Sequence, residues 1–464
     1  MSQQLVAIVM AAGKGTRMKS DLPKVLHAIA GEPLLGHVLH TLEGLSPEGV
    51  YVIVGHGAEQ VSAVLPSGAT PVLQREQLGT GHAVDQVTPH LNDYEGQVLI
   101  LSGDVPLLSR ETLEGLQAEH ERRGAVLSLL TTELDDPTGY GRVIRDAEGR
   151  VTGIVEHKDA NESQRAIREI NLGTYLCSWP HLREALASLT PNNAQGEYYL
   201  TDAIAYLVQA GHPVAALVTP DPLEGAGINT RAELARLQGE YNRRTAARWM
   251  AEGVTIVSPE TTVIGPRVTI GRDTIVEPGA ILLGRTTIGD RCVIGAYSQL
   301  THMTLGNEVE VLHSYLVDST VGDGTHVGPY AHLRGHAEVG ANCRVGNFVE
   351  IKKSTLGDGA KAAHLAYLGD ATVGKKVNIG CGVITVNYDG EKKHRTVIGD
   401  GAFVGSNSNL IAPVTVGEEG FIAAGSTITE DVPAHALAIG RGRQVVKEDW
   451  VTRRKGAKQE TQAR

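Results

Sequence analysis

The chain has 464 residues, of which 41% are apolar and 20% charged, so it can bury a sizeable core and global disorder is excluded. Its net charge of −11 argues against a general nucleic-acid grip, which needs a basic face. With 55 glycines and only 4% aromatics, the core must be built from small branched residues in a regular lattice.

The longest early apolar run, Leu5 to Ala12, follows no basic segment. It is too short for a membrane span and wrongly flanked for a signal peptide. Runs at Leu5–Met10, Val50–Val54 and Val98–Leu101 alternate with helical stretches at Leu34–Leu42 and Leu113–Glu121. This pattern predicts an α/β, Rossmann-like domain over residues 1–229, with a parallel sheet buried on both faces. Residues 230–253 read as a connector helix. Thr230 and Glu233 form a T-x-x-E capping box, Leu234, Leu237, Tyr241 and Trp249 recur at helical spacing, and Gly253 is a stop.

From Val254 the period becomes six. Ile264, Ile270, Val276, Leu282, Ile288 and Ile294 form one comb. Val321, Val327, Leu333, Val339, Val345 and Ile351 form a second, and Ile398, Val404, Leu410, Val416, Ile422 and Ile428 a third. A short strand and a corner every six residues predict a triangular parallel β-helix over residues 254–437. The glycine that follows many of these aliphatics is expected to supply the corner's backbone angles. The lattice weakens near residues 300–315 and breaks at 386–397, where a polar loop must leave the prism. Residues 438–464 read as a tail, with Arg453, Arg454, Lys455 and Lys458 solvated. Cys177, Cys292, Cys343 and Cys381 show no CxxC spacing and read as small packing residues of a reduced, cytoplasmic protein.

The chemistry-bearing motif lies after the first strand. Ala11-Ala12-Gly13-Lys14-Gly15-Thr16-Arg17 lets backbone N–H groups approach a phosphate chain, with Lys14, Arg17 and Lys24 to neutralise it. It is neither a dinucleotide fingerprint, since position 18 is Met, nor a Walker A loop. Through Pro23-Lys24 this run resembles the sugar-nucleotide pyrophosphorylases, whose signature is G-x-G-T-[RM] followed by P-K. Other segments resemble the same family: Gln74-x-x-Gln77-Leu78-Gly79-Thr80-Gly81-His82-Ala83, Ser102-Gly103-Asp104, Pro137 to Arg142, Glu156, Asn171 and Asn229. With the hexapeptide repeats attached, the resemblance is to the family of bifunctional N-acetylglucosamine-1-phosphate uridylyltransferases and glucosamine-1-phosphate acetyltransferases, over about residues 5–450. Hexapeptide-repeat proteins are left-handed β-helices, so that hand is implied here.

That resemblance implies acetyl transfer from acetyl-CoA to glucosamine-1-phosphate. Uridylyl transfer from UTP to N-acetylglucosamine-1-phosphate then releases pyrophosphate, in support of cell-envelope precursors such as peptidoglycan. The nucleotide and sugar would meet Met10, Ala11, Ala12, Gly13, Lys24, Gln74, Gly79, Thr80, Gly103, Gly141, Glu156, Asn171 and Asn229, with Lys24 and Arg17 spreading charge. Asp104 and Asn229 would hold Mg²⁺, a hard cation suited to oxygen ligands. Taken singly, Asp104 also fits a strand-end cap and Asn229 a turn before the helix. On the prism, His364 would be the base that takes a proton from the amine. Arg334, Lys352, Tyr367, Asn378, Asn387 and Tyr388 would bind the sugar phosphate, and Cys381, Ser406, Ala424 and Arg441 acetyl-CoA. His302, His313, His326, His332, His336 and His394 also raise a trimeric zinc enzyme, which would leave the amino-terminal domain unexplained. The family further implies a homotrimer with acetyl sites shared between neighbours. This chain departs from the family motifs at Ser102, Gly335-His336, Ala363, Cys381 and Gly440.

Overall fold

The computed structural model describes residues 4–455. The chain divides into two compact units. One runs to Arg248 and takes in Val263–Arg267; the other holds Trp249–Thr262 and continues from Val268.

The first unit is built on a nine-stranded sheet. Its strands are β1 (Leu5–Met10), β2 (Gly49–Val54), β3 (Ala69–Leu73), β4 (Gln97–Ser102), β5 (Leu127–Glu133), β6 (Arg142–Arg145), β7 (Val151–Val155), β8 (Glu169–Ser178) and β9 (Val214–Val218). The main order is β9-β5-β8-β4-β1-β2-β3, with β6 and β7 paired off β8. β1 pairs in parallel with both β2 and β4, whereas β8 runs antiparallel to β4 and β5. Alternate residues of β1 and β4 enter two different cores. Val6, Ile8, Val98 and Ile100 join Trp179, Leu182 and Leu207 on one face. Ala7, Val9, Leu99 and Leu101 join Leu35, Leu42, Leu113 and Leu116 on the other. Burial on both faces is why these strands are continuous apolar runs, and each fully buried large aliphatic contributes ~1.5–3 kcal/mol.

This strand order sets the site. From β1 the chain steps outward through β2 and β3, then returns to place β4 on the other side of β1. A crevice opens where the order reverses, beyond the carboxyl ends of β1 and β4. Residues 11–13 and 102–104 lie there.

Helix α1 (Leu34–Glu43) covers one face, and its His37 is buried. The His37 Nε2–H donates to the Ile29 carbonyl at 2.9 Å, and the ring meets Tyr241 edge-on at 5.0 Å. Burial pushes this imidazole down to about 4. Below about pH 6.5 the unfolded chain therefore binds a proton that the folded chain refuses. Stability should fall by about 3 kcal/mol as pH drops from 6.5 to 4, then level off. In denaturant unfolding, His37→Gln should lose this component, so the gap between wild type and variant should narrow by about 2–3 kcal/mol at pH 4.5. An unchanged gap would contradict it. Helix α2 (Arg231–Ala251) begins at the predicted box: Glu233 Oε2 accepts from the Thr230 N–H at 2.9 Å, and the Glu233 N–H donates to Thr230 Oγ1 at 3.2 Å.

The second unit is a prism of short parallel strands whose aliphatic combs point inward. Ile294, Leu333, Val345, Val404 and Leu410 are fully buried. Partners in successive coils lie 18 residues apart at Val327 and Val345, 17 at Val345 and Ala362, and 16 at Leu300 and Leu316. Loss of one residue per corner shifts each comb's phase, which is why the pattern fades near residues 300–315. Val373 pairs with Ile398 across a 25-residue coil, and the loop expected at 386–397 is confined to residues 387–395, because Val386, Thr396 and Val397 stay paired in the lattice.

One expectation is overturned. Gly271, Gly322, Gly346, Gly399 and Gly405 do not adopt left-handed angles. Glycine is required there because the coils stack too closely for a Cβ: at Gly346 it would lie 1.8 Å from the Ala363 carbonyl oxygen, and at Gly405 2.5 Å from the Ala424 nitrogen. The left-handed corner positions are shared by Asp273, Arg291, Glu308, Lys376 and Glu419 with Gly324, Gly359 and Gly401, and of the glycines that follow the combs Gly328 does take a left-handed φ, +102°. Inside another corner Thr274, Cys292, Thr325 and Cys343 form ladders: Thr325 Oγ1 bonds the Gly340 carbonyl and accepts from the Cys343 N–H. Cys292 and Cys343 are thus buried rungs, while Cys381 is exposed. Of the expected tail, residues 456–464, including Lys458, lie outside the described residues. Among the described residues, no helix is long and apolar enough to cross a membrane.

Candidate functional site

Two clefts adjoin at the crevice of the first unit. One, of about 320 Å³, is lined by Met10, Ala11, Ala12, Gly13, Lys24, Gln74, Gln77, Gly79, Thr80 and Glu197. The other, of about 380 Å³, is lined by Arg17, Thr138, Tyr140, Gly141, Glu156, Asn171, Gly227 and Asn229. Ser102 and Asp104 line both.

The backbone explains the glycine-rich turn. Nothing lies within 4 Å of where a Gly13 Cβ would be, so that position faces open space. Gly15 sits at φ +56°, and a side chain there would strike Lys24 Cβ at 2.6 Å. Gly15 therefore lets the Lys24 stem lie against the turn. The Lys24 ammonium donates to Asp104 Oδ2, and to Asn229 Oδ1 at 3.1 Å. The two oxygens expected to hold a metal are thus already gathered around a positive charge. Two hard oxygens, with room left for phosphate and water ligands, fit Mg²⁺. Among the described residues no group of three or more His, Cys, Asp or Glu could hold a metal, so the rest of a coordination shell would come from substrate and water.

Gln74 is buried, and its Nε2 donates to the Gly79 carbonyl at 3.2 Å and meets His82 Nδ1 at 3.0 Å. Gly79 is at φ +116°, packed so closely on Tyr198 that a Cβ would lie 2.5 Å from its carbonyl oxygen. Thr80 Oγ1 accepts from the Leu200 N–H at 3.0 Å. Gly103 closes the strand end, its N–H donating to the Met10 carbonyl at 2.9 Å. Across the second cleft, burial raises the Glu156 carboxyl above its usual range, opposed by a hydrogen bond from Thr201 Oγ1 at 3.2 Å. The Asn171 amide donates to Tyr175 Oη at 2.6 Å and accepts from the Gly173 N–H at 3.1 Å. The Asn229 N–H donates to Glu233 Oε2 at 2.7 Å, which ties the loop to helix α2. Arg17 lines the second cleft and Lys24 the first.

On the prism, the expected residues fall into two sets. Asn347 pairs with His364 across adjacent strands. The next rungs of that edge carry Cys381, Ser406, Ala424 and Arg441. There the Gly382 N–H donates to the Leu365 carbonyl, the Asn407 N–H to that of Cys381, and the Gly425 N–H to that of Ser406. Arg441 Nη1 donates to the Ala424 carbonyl at 2.7 Å. The four residues expected to meet acetyl-CoA thus form one column leading to His364. Asn378 lies three residues before Cys381, in the column of Lys361 and Phe403.

The second set lies beyond the edge formed by Phe348 and Leu365, both at left-handed φ. There Arg334 pairs in register with Lys352, and Glu350 with Tyr367. Arg334 is held by Glu350 at 2.6 Å. The loop returns over this face. The buried Asn387 donates from Nδ2 to Asp370 Oδ2, and Tyr388 Oη donates to the Gly390 carbonyl. Asp389 accepts from the N–H groups of Glu391 and Lys392 and from His394 Nε2, which hold its carboxyl well below the usual range. This turn carries Lys393, which the motif reading missed. The Lys352 ammonium beside it holds Lys393 below the usual lysine range. The run Lys392-Lys393-His394 in the loop was the available signal.

Comparison with known proteins follows this division. Residues 7–254 match the family described as MobA-like NTP transferase domain. Residues 267–302, 318–353 and 395–430 match bacterial transferase hexapeptide (six repeats). The Bifunctional protein GlmU of an Exiguobacterium species is 52% identical over 447 residues, covering 96% of this chain and 99% of the relative. Those of Geobacillus thermodenitrificans and Brevibacillus brevis are 50% and 49% identical, covering 97% and 98% of this chain and 98% and 99% of theirs. An NTP-transferase unit and a left-handed hexapeptide β-helix in one chain, alike over nearly full length, place it in the bifunctional GlmU family of nucleotidyl- and acyltransferases.

Proposed function

We propose that this chain makes UDP-N-acetylglucosamine in two steps at two separate sites, one in each unit. The prism acetylates the amine of glucosamine-1-phosphate from acetyl-CoA. The α/β unit then joins the N-acetylglucosamine-1-phosphate to UTP and releases pyrophosphate. The observation that carries this reading is the meeting of two clefts at Asp104, beneath a glycine turn at the strand-order reversal.

In the uridylyl site the sugar phosphate oxygen attacks the α-phosphorus of UTP. One P–O bond forms and the bond to the β-phosphate bridge breaks. The nucleophile is already anionic, so the site supplies charge neutralisation and alignment rather than a base. Asp104 and Asn229 would hold Mg²⁺, which when bound would supply positive charge to offset that of the reacting phosphates. Lys24 would neutralise the phosphate chain, Ala12 and Gly13 offer backbone N–H groups to it, and Met10 and Ala11 line the cleft, the Ala11 N–H being held by the Ile53 carbonyl. With its amide nitrogen engaged, Gln74 presents Oε1 to the uracil N3–H. Gly79 and Thr80 hold that loop, and Gly103 keeps the strand end open. Gly141, Glu156 and Asn171 line the sugar side, with Arg17 near the phosphate.

In the acetyl site His364 takes the proton that an ammonium must lose before it can attack a thioester. Arg334 and Lys352, with Lys393, bind the sugar phosphate; Tyr367, Asn378, Asn387 and Tyr388 orient the sugar. The column Cys381, Ser406, Ala424 and Arg441 meets acetyl-CoA. The two sets lie on different faces of one prism, which supports a homotrimer in which a neighbour completes each site. Exposed Tyr297, Tyr330, Phe348 and Leu365 along one edge support the same association. Both co-substrates are cytoplasmic, and the proposal places the protein there.

Supplied with UTP, acetyl-CoA, Mg²⁺ and glucosamine-1-phosphate, the protein should form UDP-N-acetylglucosamine, one pyrophosphate and one free thiol per product, read by mass spectrometry. Product from glucose-1-phosphate in its place, with no thiol release, would overturn the reading.

A further inference from the structure

We propose that Asn347 is a positioning residue for acetyl transfer, holding the His364 ring in the tautomer that leaves Nε2 without a proton. The proposal rests on His364 being the base. Asn347 Oδ1 lies 2.8 Å from His364 Nδ1. The two residues sit in register on neighbouring strands, each just before the corner formed by Phe348 and Leu365. They share a cleft of about 210 Å³ with Tyr330, Arg344 and Phe348, and the Tyr330 and Phe348 rings stack at 5.5 Å and 7°.

A carboxamide oxygen can only accept a hydrogen bond. Nδ1 must therefore carry the hydrogen, and Nε2 keeps its lone pair for the substrate ammonium. That proton passes to Nε2 and the freed amine attacks the thioester carbonyl. The C–N bond forms, the attacking nitrogen loses its second proton to solvent, the C–S bond breaks, and the imidazolium returns the first proton to the leaving thiolate. Stacked rungs fix the angle of the ring, since both backbones are held in the parallel ladder. An aspartate at this position would orient the ring equally well but would stabilise the imidazolium, so that less of the ring is in the neutral, proton-accepting form at a given pH. The uncharged amide sets direction without adding charge. The other titratable groups around the ring are Arg344 and Tyr330 in the cleft, and Lys361 and Tyr367 on the histidine's own strand. Glu350 lies along the Asn347 strand and Cys381 on the following coil.

The test compares Asn347→Leu, Asn347→Asp and His364→Ala in the full-length chain, with uridylyl transfer as the folding control. Asn347→Leu should lower kcat for acetyl transfer about tenfold, leave KM for acetyl-CoA unchanged, and let the second tautomer appear in ¹⁵N spectra of histidine-labelled protein. Asn347→Asp should keep the ring tautomer and move the acid limb of the kcat/KM profile up by about one pH unit. Wild-type pH limbs and ring shifts in both variants, with His364→Ala inactive in acetyl transfer, would overturn the role of Asn347 alone. An active His364→Ala would overturn the base assignment beneath it.

Discussion

Replacing Asp104 with Asn should lower uridylyl transfer by about 10³-fold or more, ~4 kcal/mol of transition-state stabilisation, and leave acetyl transfer at the wild-type rate. Among the described residues Asp104 and Ser102 line both clefts, so in the proposed reaction Asp104 faces the point where nucleotide and sugar phosphate would meet. Its carboxylate is also the one formal negative charge among the groups that Lys24 bonds there. Asparagine keeps the shape and a carbonyl acceptor for Lys24, so the fold should survive. What disappears is the charge that holds a divalent cation against the phosphates. The loss should appear mainly in kcat, and excess Mg²⁺ should restore little of it. Steady-state pyrophosphate release checks the first part, and thiol release from acetyl-CoA the second. Equal loss of both rates in a folded variant would contradict separate sites.

His364→Ala should show the opposite pattern: acetyl transfer down by about 10²–10⁴-fold, and uridylyl transfer from N-acetylglucosamine-1-phosphate unchanged. His364 is exposed on the prism, at the head of the column that includes Cys381, Ser406, Ala424 and Arg441. Truncating an exposed side chain removes no core contact, so the effect should be chemical rather than structural. The residual rate should rise with pH more steeply than in wild type, because bulk deprotonation of the amine must then replace the base. A variant with a normal acetyl-transfer rate would remove His364 from the reaction.

Much of this was legible in residues alone, for definable reasons. Strands buried on both faces must be continuous apolar runs, so β1 and β4 stand out beside their glycine turns. A six-residue comb has no other simple reading than a three-sided coil. The glycines of the prism were read correctly as necessary and wrongly in cause: spacing shows that position 346 must be glycine-like, but only the neighbouring coil shows that the Ala363 carbonyl fills the space. The Lys24 contact to both Asp104 and Asn229 joins residues far apart in the chain, and no local pattern encodes it. Lys393 was missed because a short polar loop carries no periodicity, and its meaning comes from Lys352 on the prism face.

Two of the positions read as departures have a geometric reason. Gly335 has a φ of +62°, which favours glycine beside Arg334. At Gly440 a Cβ would lie 2.3 Å from the Thr427 carbonyl oxygen.

The central claim is that two independent sites work in sequence and that a free intermediate passes between them. Mixing Asp104→Asn with His364→Ala, each inactive alone in the full conversion, tests it directly. With glucosamine-1-phosphate, acetyl-CoA, UTP and Mg²⁺, the mixture should make UDP-N-acetylglucosamine after a lag, while the Asp104 variant alone accumulates N-acetylglucosamine-1-phosphate. A mixture that makes no product, although each variant keeps its own half-reaction, would contradict the account.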